Sequence, residues 1–295
     1  MRGIVPSLNT PFMQDGTVDH ASLRRLVNHT VDSGCGGMLG LAVAGEHSTL
    51  SMAEKAQFIE TVSDTNAQRI PFIVSVTAVD LEGSIELAKL ANSAHAAGIC
   101  VQFPIGLTAS DRLDFLQHLS RHTPGILMVQ DLDWSGSGLA IDEIVNLSSK
   151  IEKFTWLKIE TPQAGQKYSA VLDATDGALN VCGGWAVTQL MDAMARGVQA
   201  FIPTGMEPVY VAIYKLYANG NIDTARALFN RALPVLNFSN QHIDISIQFF
   251  KELRKAEGLF DTAACRINSS FDAVQQREAE QALKLAMSLC RETKQ

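Results

Sequence analysis

This 295-residue chain has no C-x-x-C pair, no G-x-G-x-x-G turn, no G-x-x-x-x-G-K-[ST] loop and no H-E-x-x-H helix. These absences exclude a dinucleotide fold and a P-loop and count against a metal site. The five cysteines, Cys35, Cys100, Cys182, Cys265 and Cys290, are odd in number and scattered; they read as buried thiols of a reducing compartment rather than a disulfide framework. Basic charge is scarce too. A net charge of −7 argues against a nucleic-acid footprint and against electrostatic binding to an anionic membrane. No apolar run approaches the roughly 20 residues of a membrane-spanning helix, and Met1 to Pro6 lack a charged leader followed by an apolar core. The expectation is a cytoplasmic protein whose partner is a small molecule.

What the chain has is a 46% hydrophobic content arranged in alternating strand-like and helix-like segments. Strand-like runs fall at 3–8, 37–43, 72–75, 99–103, 126–130, 155–160, 179–182 and 200–202. Leu23, Leu26, Val27 and Val31 lie on one face of a helix, and Ser51 with Glu54 three residues on has the form of a capping box. Further helices are expected around 82–97, 110–122, 140–149, 166–175, 186–196 and 208–218. Eight strand–helix units with no nucleotide turn after the first strand favour a (β/α)8 TIM barrel over an open, doubly wound sheet. Residues 1–220 would form the barrel. From about 221, helical stripes without strands (Ala225, Leu228, Phe229, Leu233; Ile245 to Leu253; Ala282 to Leu289) predict a three-helix C-terminal appendage over 221–295.

Within this frame Lys158 stands out, because it interrupts the apolar run Phe154-Thr155-Trp156-Leu157-Lys158-Ile159-Glu160 at a strand end. The C-terminal strand ends of such a barrel carry its active site. Period-2 alternation puts Trp156, Lys158 and Glu160 on one side. A desolvated lysine loses its charge and becomes a nucleophile for carbonyls; a strand-end lysine whose stem packs and whose head reaches water is the bland alternative. Other groups at strand ends are the Val43-Ala44-Gly45-Glu46 turn, Gln130-Asp131, Gly183-Gly184 and Pro203-Thr204-Gly205. Glu46-His47 reads as an acid/base pair or a loop salt link, and Asp131 with Asp133 as paired carboxylates or turn formers. His118 and His122 have i, i+4 spacing but no third ligand, so no metal site is assigned.

Thr10-Pro11-Phe12, Asp15-Gly16, Val18-Asp19, Gly45-Glu46, Leu50-Ser51, Phe103-Pro104, Leu157-Lys158-Ile159-Glu160, Gly183 and the stretch from Gly197 to Ile202 near Pro208, in that order and spacing, resemble the dihydrodipicolinate synthase / N-acetylneuraminate lyase family over essentially the whole chain. The resemblance implies an aldolase-type barrel, a homotetramer or homodimer, no metal or organic cofactor, and Lys158 as the residue that forms a Schiff base with a 2-oxo acid. It also implies substrate contacts at Val43, Ala44 and Gly45, with backbone N–H groups near Ala44 and Gly45 holding the carboxylate, and at Gly183 and Ile202. The departures are informative. Val43 and Ala44 replace two threonines, Ile105 and Gly106 follow Pro104 in place of two tyrosines, Gln130 replaces a tyrosine, and Ser135 falls near an arginine position. Dihydrodipicolinate synthesis is thereby disfavoured, and the pattern is more similar to the branch acting on 2-keto-3-deoxy sugar acids, with Gln130 orienting water or a substrate hydroxyl. The proton carrier stays open among a water on Gln130, Asp131 and His47. A catalytically impaired relative that senses a 2-oxo acid or sugar acid, and a metal-dependent aldolase, are the competing readings.

Overall fold

The computed structural model describes residues 1–184, 188–267 and 270–294. Its single eight-stranded sheet has the order β1-β8-β7-β6-β5-β4-β3-β2, from β1 (Gly3–Ile4), β2 (Met38–Gly40), β3 (Phe72–Ser75), β4 (Gly98–Val101), β5 (Ile126–Leu132), β6 (Phe154–Glu160), β7 (Asn180–Gly183) and β8 (Ala200–Phe201). The two ends of that order are joined: Ser7 bridges Leu39 in parallel, Leu8 N–H donates to Leu39 O at 2.9 Å and Leu39 N–H to Pro6 O at 2.9 Å. Parallel strands with helical crossovers and no free edge make a (β/α)8 barrel, as the sequence pattern predicts.

The interleaved helices are α1 (His20–Asp32), α2 (Met52–Asn66), α3 (Leu81–Ser93), α4 (Ala109–Ser120), α5 (Ile141–Lys150), α6 (Ala164–Ala174), α7 (Leu190–Ala195) and α8 (Glu207–Ala218). The helix expected over 186–196 is seen from Leu190; 186 and 187 lie outside the described residues. Three more helices follow, α9 (Ile222–Ser239), α10 (Ile243–Ala256) and α11 (Ala273–Thr293). On α1, Leu23, Leu26 and Val27 are fully buried and Val31 half-buried. In the appendage Leu233, which the helical stripe includes, is 37% exposed.

Chain contacts divide the molecule into two compact units, residues 71–202 with 1–2, and residues 3–70 with 203–295. Helices α9 to α11 belong to the second. Its local order starts from caps: Asp19 accepts the N–H groups of Ala21 and Ser22, both at 3.0 Å, and Ser51 and Glu54 form the reciprocal box, with Ser51 N–H on Glu54 Oε2 at 2.8 Å and Glu54 N–H on Ser51 Oγ at 3.3 Å. Replacing Ser51 by alanine is expected to lower stability by about 1 kcal/mol, read as a lower urea midpoint at unchanged slope. The strand expected over 37–43 is shorter, because Leu41 adopts φ +57°, which no β-ladder accommodates; Val43 to Gly45 instead form a 3₁₀ turn.

Candidate active site

In the 71–202 unit, β5 and β6 run in register from Met128 opposite Trp156, after a bulge at Leu127/Met128. That register sets Gln130 level with Lys158 and Lys158 level with Cys182 of β7. Parallel strands in register share side-chain directions, so the three stand on one face. The side chain of Lys158 is 6% exposed, and its bland alternative, a head reaching water, is excluded. Its Nζ lies 2.9 Å from Glu160 Oε2, and the Gln130 side-chain amide donates to the same oxygen. Glu160 is thus held between an ammonium and an amide.

The expectation that desolvation leaves Lys158 neutral requires correction. Burial is the largest single influence and pushes the ammonium toward its neutral form, but the charge and hydrogen bond of Glu160, together with the neighbouring Cys100 and Cys182, outweigh it, and Lys158 stands above the ordinary lysine value. The resting site is an ion pair. Cys100 and Cys182 lie near the amine; burial pushes the Cys100 thiol up to about 12 and Cys182 well above the usual thiol value, so both stay protonated at neutral pH.

Gly183 lies at the end of β7. It pairs with Ile159, on the face opposite Lys158, and its carbonyl accepts Ile202 N–H at 2.7 Å. The neighbouring glycine serves the site: a Cβ on Gly184 would lie 2.6 Å from Lys158 Cε and collide with the Glu160 carboxylate. Gly184→Ala must therefore displace the pair, and a shift of about 1 Å costs on the order of 10²-fold in turnover; steady-state kinetics beside a melting curve would separate this from unfolding. Ile202 follows β8, whose Ala200 is level with Cys182, so alternation returns Ile202 to the lysine face.

Asp131 is level with Ile159, across the strand from Lys158, and cannot be the proton carrier. Its carboxylate pairs with Lys167 Nζ at 2.5 Å and accepts Leu139 N–H at 2.8 Å, while burial raises it above the usual carboxylate range. Asp133 collects the N–H groups of Ser135 at 3.0 Å and Gly136 at 2.8 Å. Both aspartates shape the loop that bears Ser135. His118 Nδ1 bonds its own helix at Asp114 O, 2.7 Å.

In the other unit, the Val43–Gly45 turn is fastened from two sides. The Asn9 amide donates to Ala44 O at 2.9 Å and the Thr10 hydroxyl to Gly45 O at 2.6 Å. Gly45 N–H is committed to Ala42 O at 2.9 Å, so the amides available to an anion are those of Val43 and Ala44, the first of the turn. Glu46, at φ +54°, is neither acid nor base: its fully buried carboxylate pairs with the fully buried Lys251 of α10 and accepts the N–H groups of Arg266 at 2.8 Å and Ile267 at 2.9 Å. Lys251 Nζ and the Arg266 guanidinium lie over the Phe12 ring at 4.2 and 4.5 Å. Burial, with the Lys55 ammonium nearby, holds His47 down to about 4, too weak a base for proton transfer at neutral pH.

The family model for the dihydrodipicolinate synthetase family matches residues 1–285. The chain belongs to this family. It is 28% identical over 257 residues to an L-2-keto-3-deoxyarabonate dehydratase of Azospirillum brasilense, covering 83% of this chain and 81% of that one. It is also 28% identical over 246 residues to a 4-hydroxy-tetrahydrodipicolinate synthase of Prosthecochloris aestuarii, covering 80% and 82%. A dihydrodipicolinate synthase structure from Rhodopseudomonas palustris superposes with a TM-score of 0.89 over 97% of both chains at 24% identity, which speaks for the fold. Equal identity to two differently named relatives leaves the substrate to the side chains. Among the described residues no helix is long and apolar enough to cross a membrane.

Glu160, which period-2 alternation puts on the Lys158 face, is the residue whose pairing with the amine the sequence reading does not assign. The signal was present, a carboxylate two residues after the lysine on a period-2 strand.

Proposed function

We propose that the chain is a Schiff-base-forming lyase acting on a 2-oxo acid, a 2-keto-3-deoxy sugar acid, with Lys158 as nucleophile and Glu160 as proton carrier. The observation that carries this reading is the buried Lys158–Glu160 pair at 2.9 Å with Gln130 on the same carboxylate oxygen. When the substrate arrives, the Lys158 proton passes to Glu160, and the neutral amine adds to the C2 carbonyl. Glu160 returns the proton as water leaves the carbinolamine, giving a protonated imine. The imine then accepts the electron pair of the C3–H bond as the Glu160 carboxylate removes that proton, and loss of the C4 hydroxyl as water completes a dehydration. Removal of the C4 hydroxyl proton instead breaks the C3–C4 bond. No metal enters either route.

Gln130 in place of a phenol, apolar Val43 and Ala44 before Gly45, and the similarity to a keto-deoxyarabonate dehydratase favour the sugar acid over dihydrodipicolinate synthesis. Ser135, exposed on the Asp133 loop, offers no charge to a second carboxylate.

Glu160→Gln is the decisive test. Its amide cannot take the proton, so turnover of 2-keto-3-deoxy acids should fall on the order of 10²–10⁴-fold. Trapping of pyruvate on residue 158 by borohydride should persist, since burial without the carboxylate favours the neutral amine. A variant that turns over normally would remove Glu160 from the mechanism. A wild-type protein that traps pyruvate and turns nothing over would be a binder.

A further inference from the structure

A cavity of about 500 Å³ opens where the loops leaving β5 and β6 meet the first turns of α5 and α6. Ser135, Ser137, Thr161, Gln163, Gln166 and Lys167 form its polar wall, and among the described residues no aspartate or glutamate lines it. Both helices start without a side-chain cap, at Ala140 and Gln163, whereas α2, α4 and α11 are closed by capping boxes. The first amides bonded within the two helices are Ile144 N–H to Ala140 O at 3.0 Å and Lys167 N–H to Gln163 O at 3.3 Å. The amides before them, 141–143 and 165–166, are the orphan donors of a helix start. A side chain joins them: Thr161 is only 9% exposed, lines the cavity, and its hydroxyl makes no hydrogen bond among the described residues. The Lys167 side chain, 9% exposed, adds a buried cation to the wall, fixed by Asp131 and the Ser137 carbonyl. Glu143, in the first turn of α5, is neutralised by Arg112, and Asp142 is exposed.

We propose that this cavity is a binding site for the phosphate group of a small metabolite. Two converging helix starts supply partial positive charge and N–H donors, and the Thr161 hydroxyl supplies a further one. The volume leaves room for a short organic body beside the phosphate. Nothing in the proposed lyase chemistry uses this site, so the inference stands independently of Lys158.

The test is calorimetric titration of the full chain with inorganic phosphate at fixed ionic strength. Saturable binding is expected for the wild type. Gln163→Asp, which places a carboxylate at the start of α6, should weaken it at least tenfold while raising the melting temperature of the free protein, as a new cap does. Thr161→Val should weaken it about tenfold or more, the loss of one hydrogen bond to a charged group. Absence of saturable binding, or undiminished binding by Gln163→Asp, would overturn the site. Acetate competing as well as phosphate would overturn the phosphate assignment.

Discussion

Replacing Lys158 with arginine should abolish imine trapping by borohydride and lower turnover by about 10⁴-fold or more. Arginine keeps a cation for the buried Glu160 carboxylate, so the ion pair survives in kind. The guanidinium does not give up its proton in proteins and cannot attack a carbonyl. The comparison thus isolates nucleophilicity from charge. Lys158→Met makes the complementary case, taking the ammonium away from the buried Glu160 carboxylate; it should lose both chemistry and stability. Mass spectrometry after borohydride treatment with pyruvate gives the first reading and urea unfolding the second. Persistent labelling of the arginine variant at another lysine would move the nucleophile and end the proposal.

Lys251→Met is expected to have the largest effect on stability, about 3–5 kcal/mol, because it strands the Glu46 carboxylate in the interior. Both side chains are fully buried, and Lys251 also donates to Ala264 O at 2.9 Å. The two backbone N–H groups on Glu46 soften the loss without replacing the charge. Combining the change with Glu46→Gln should recover much of it, since an amide left without a cation costs far less than an ion. Equilibrium unfolding of the four proteins gives the coupling directly. A single-variant loss below about 1 kcal/mol would show the pair to be dispensable.

Much of the fold was legible because its signals are local. The Ser51–Glu54 box, the apolar face of α1 and the continuous apolar runs of β3 and β5 each declare themselves within a few residues. Strand ends were less legible: the unusual backbone of Leu41 ends β2 three residues before the apolar pattern does. In the site, Lys158 was conspicuous as a charge in an apolar strand, and its face followed from alternation. Its protonation was not, since that is a balance between burial and the influence of Glu160 on the same strand and of Cys100 and Cys182 on other strands. Glu46 was misleading for the opposite reason. Its partner Lys251 lies 205 positions away, and no local pattern links a loop carboxylate to a lysine on a helix so distant in the chain. Thr10 and Phe12 carried the family resemblance as motif letters; their hydroxyl on Gly45 O and their ring beneath two cations appear only in three dimensions.

A primary amine left bare inside an enzyme would condense with any aldehyde that diffuses in and take up carbon dioxide as a carbamate. Paired at rest with Glu160, Lys158 offers such visitors no lone pair. In the proposed lyase it would react only once its proton had been handed on, so the ion pair would work as a chemical safety catch, keeping the residue unmodified between turnovers.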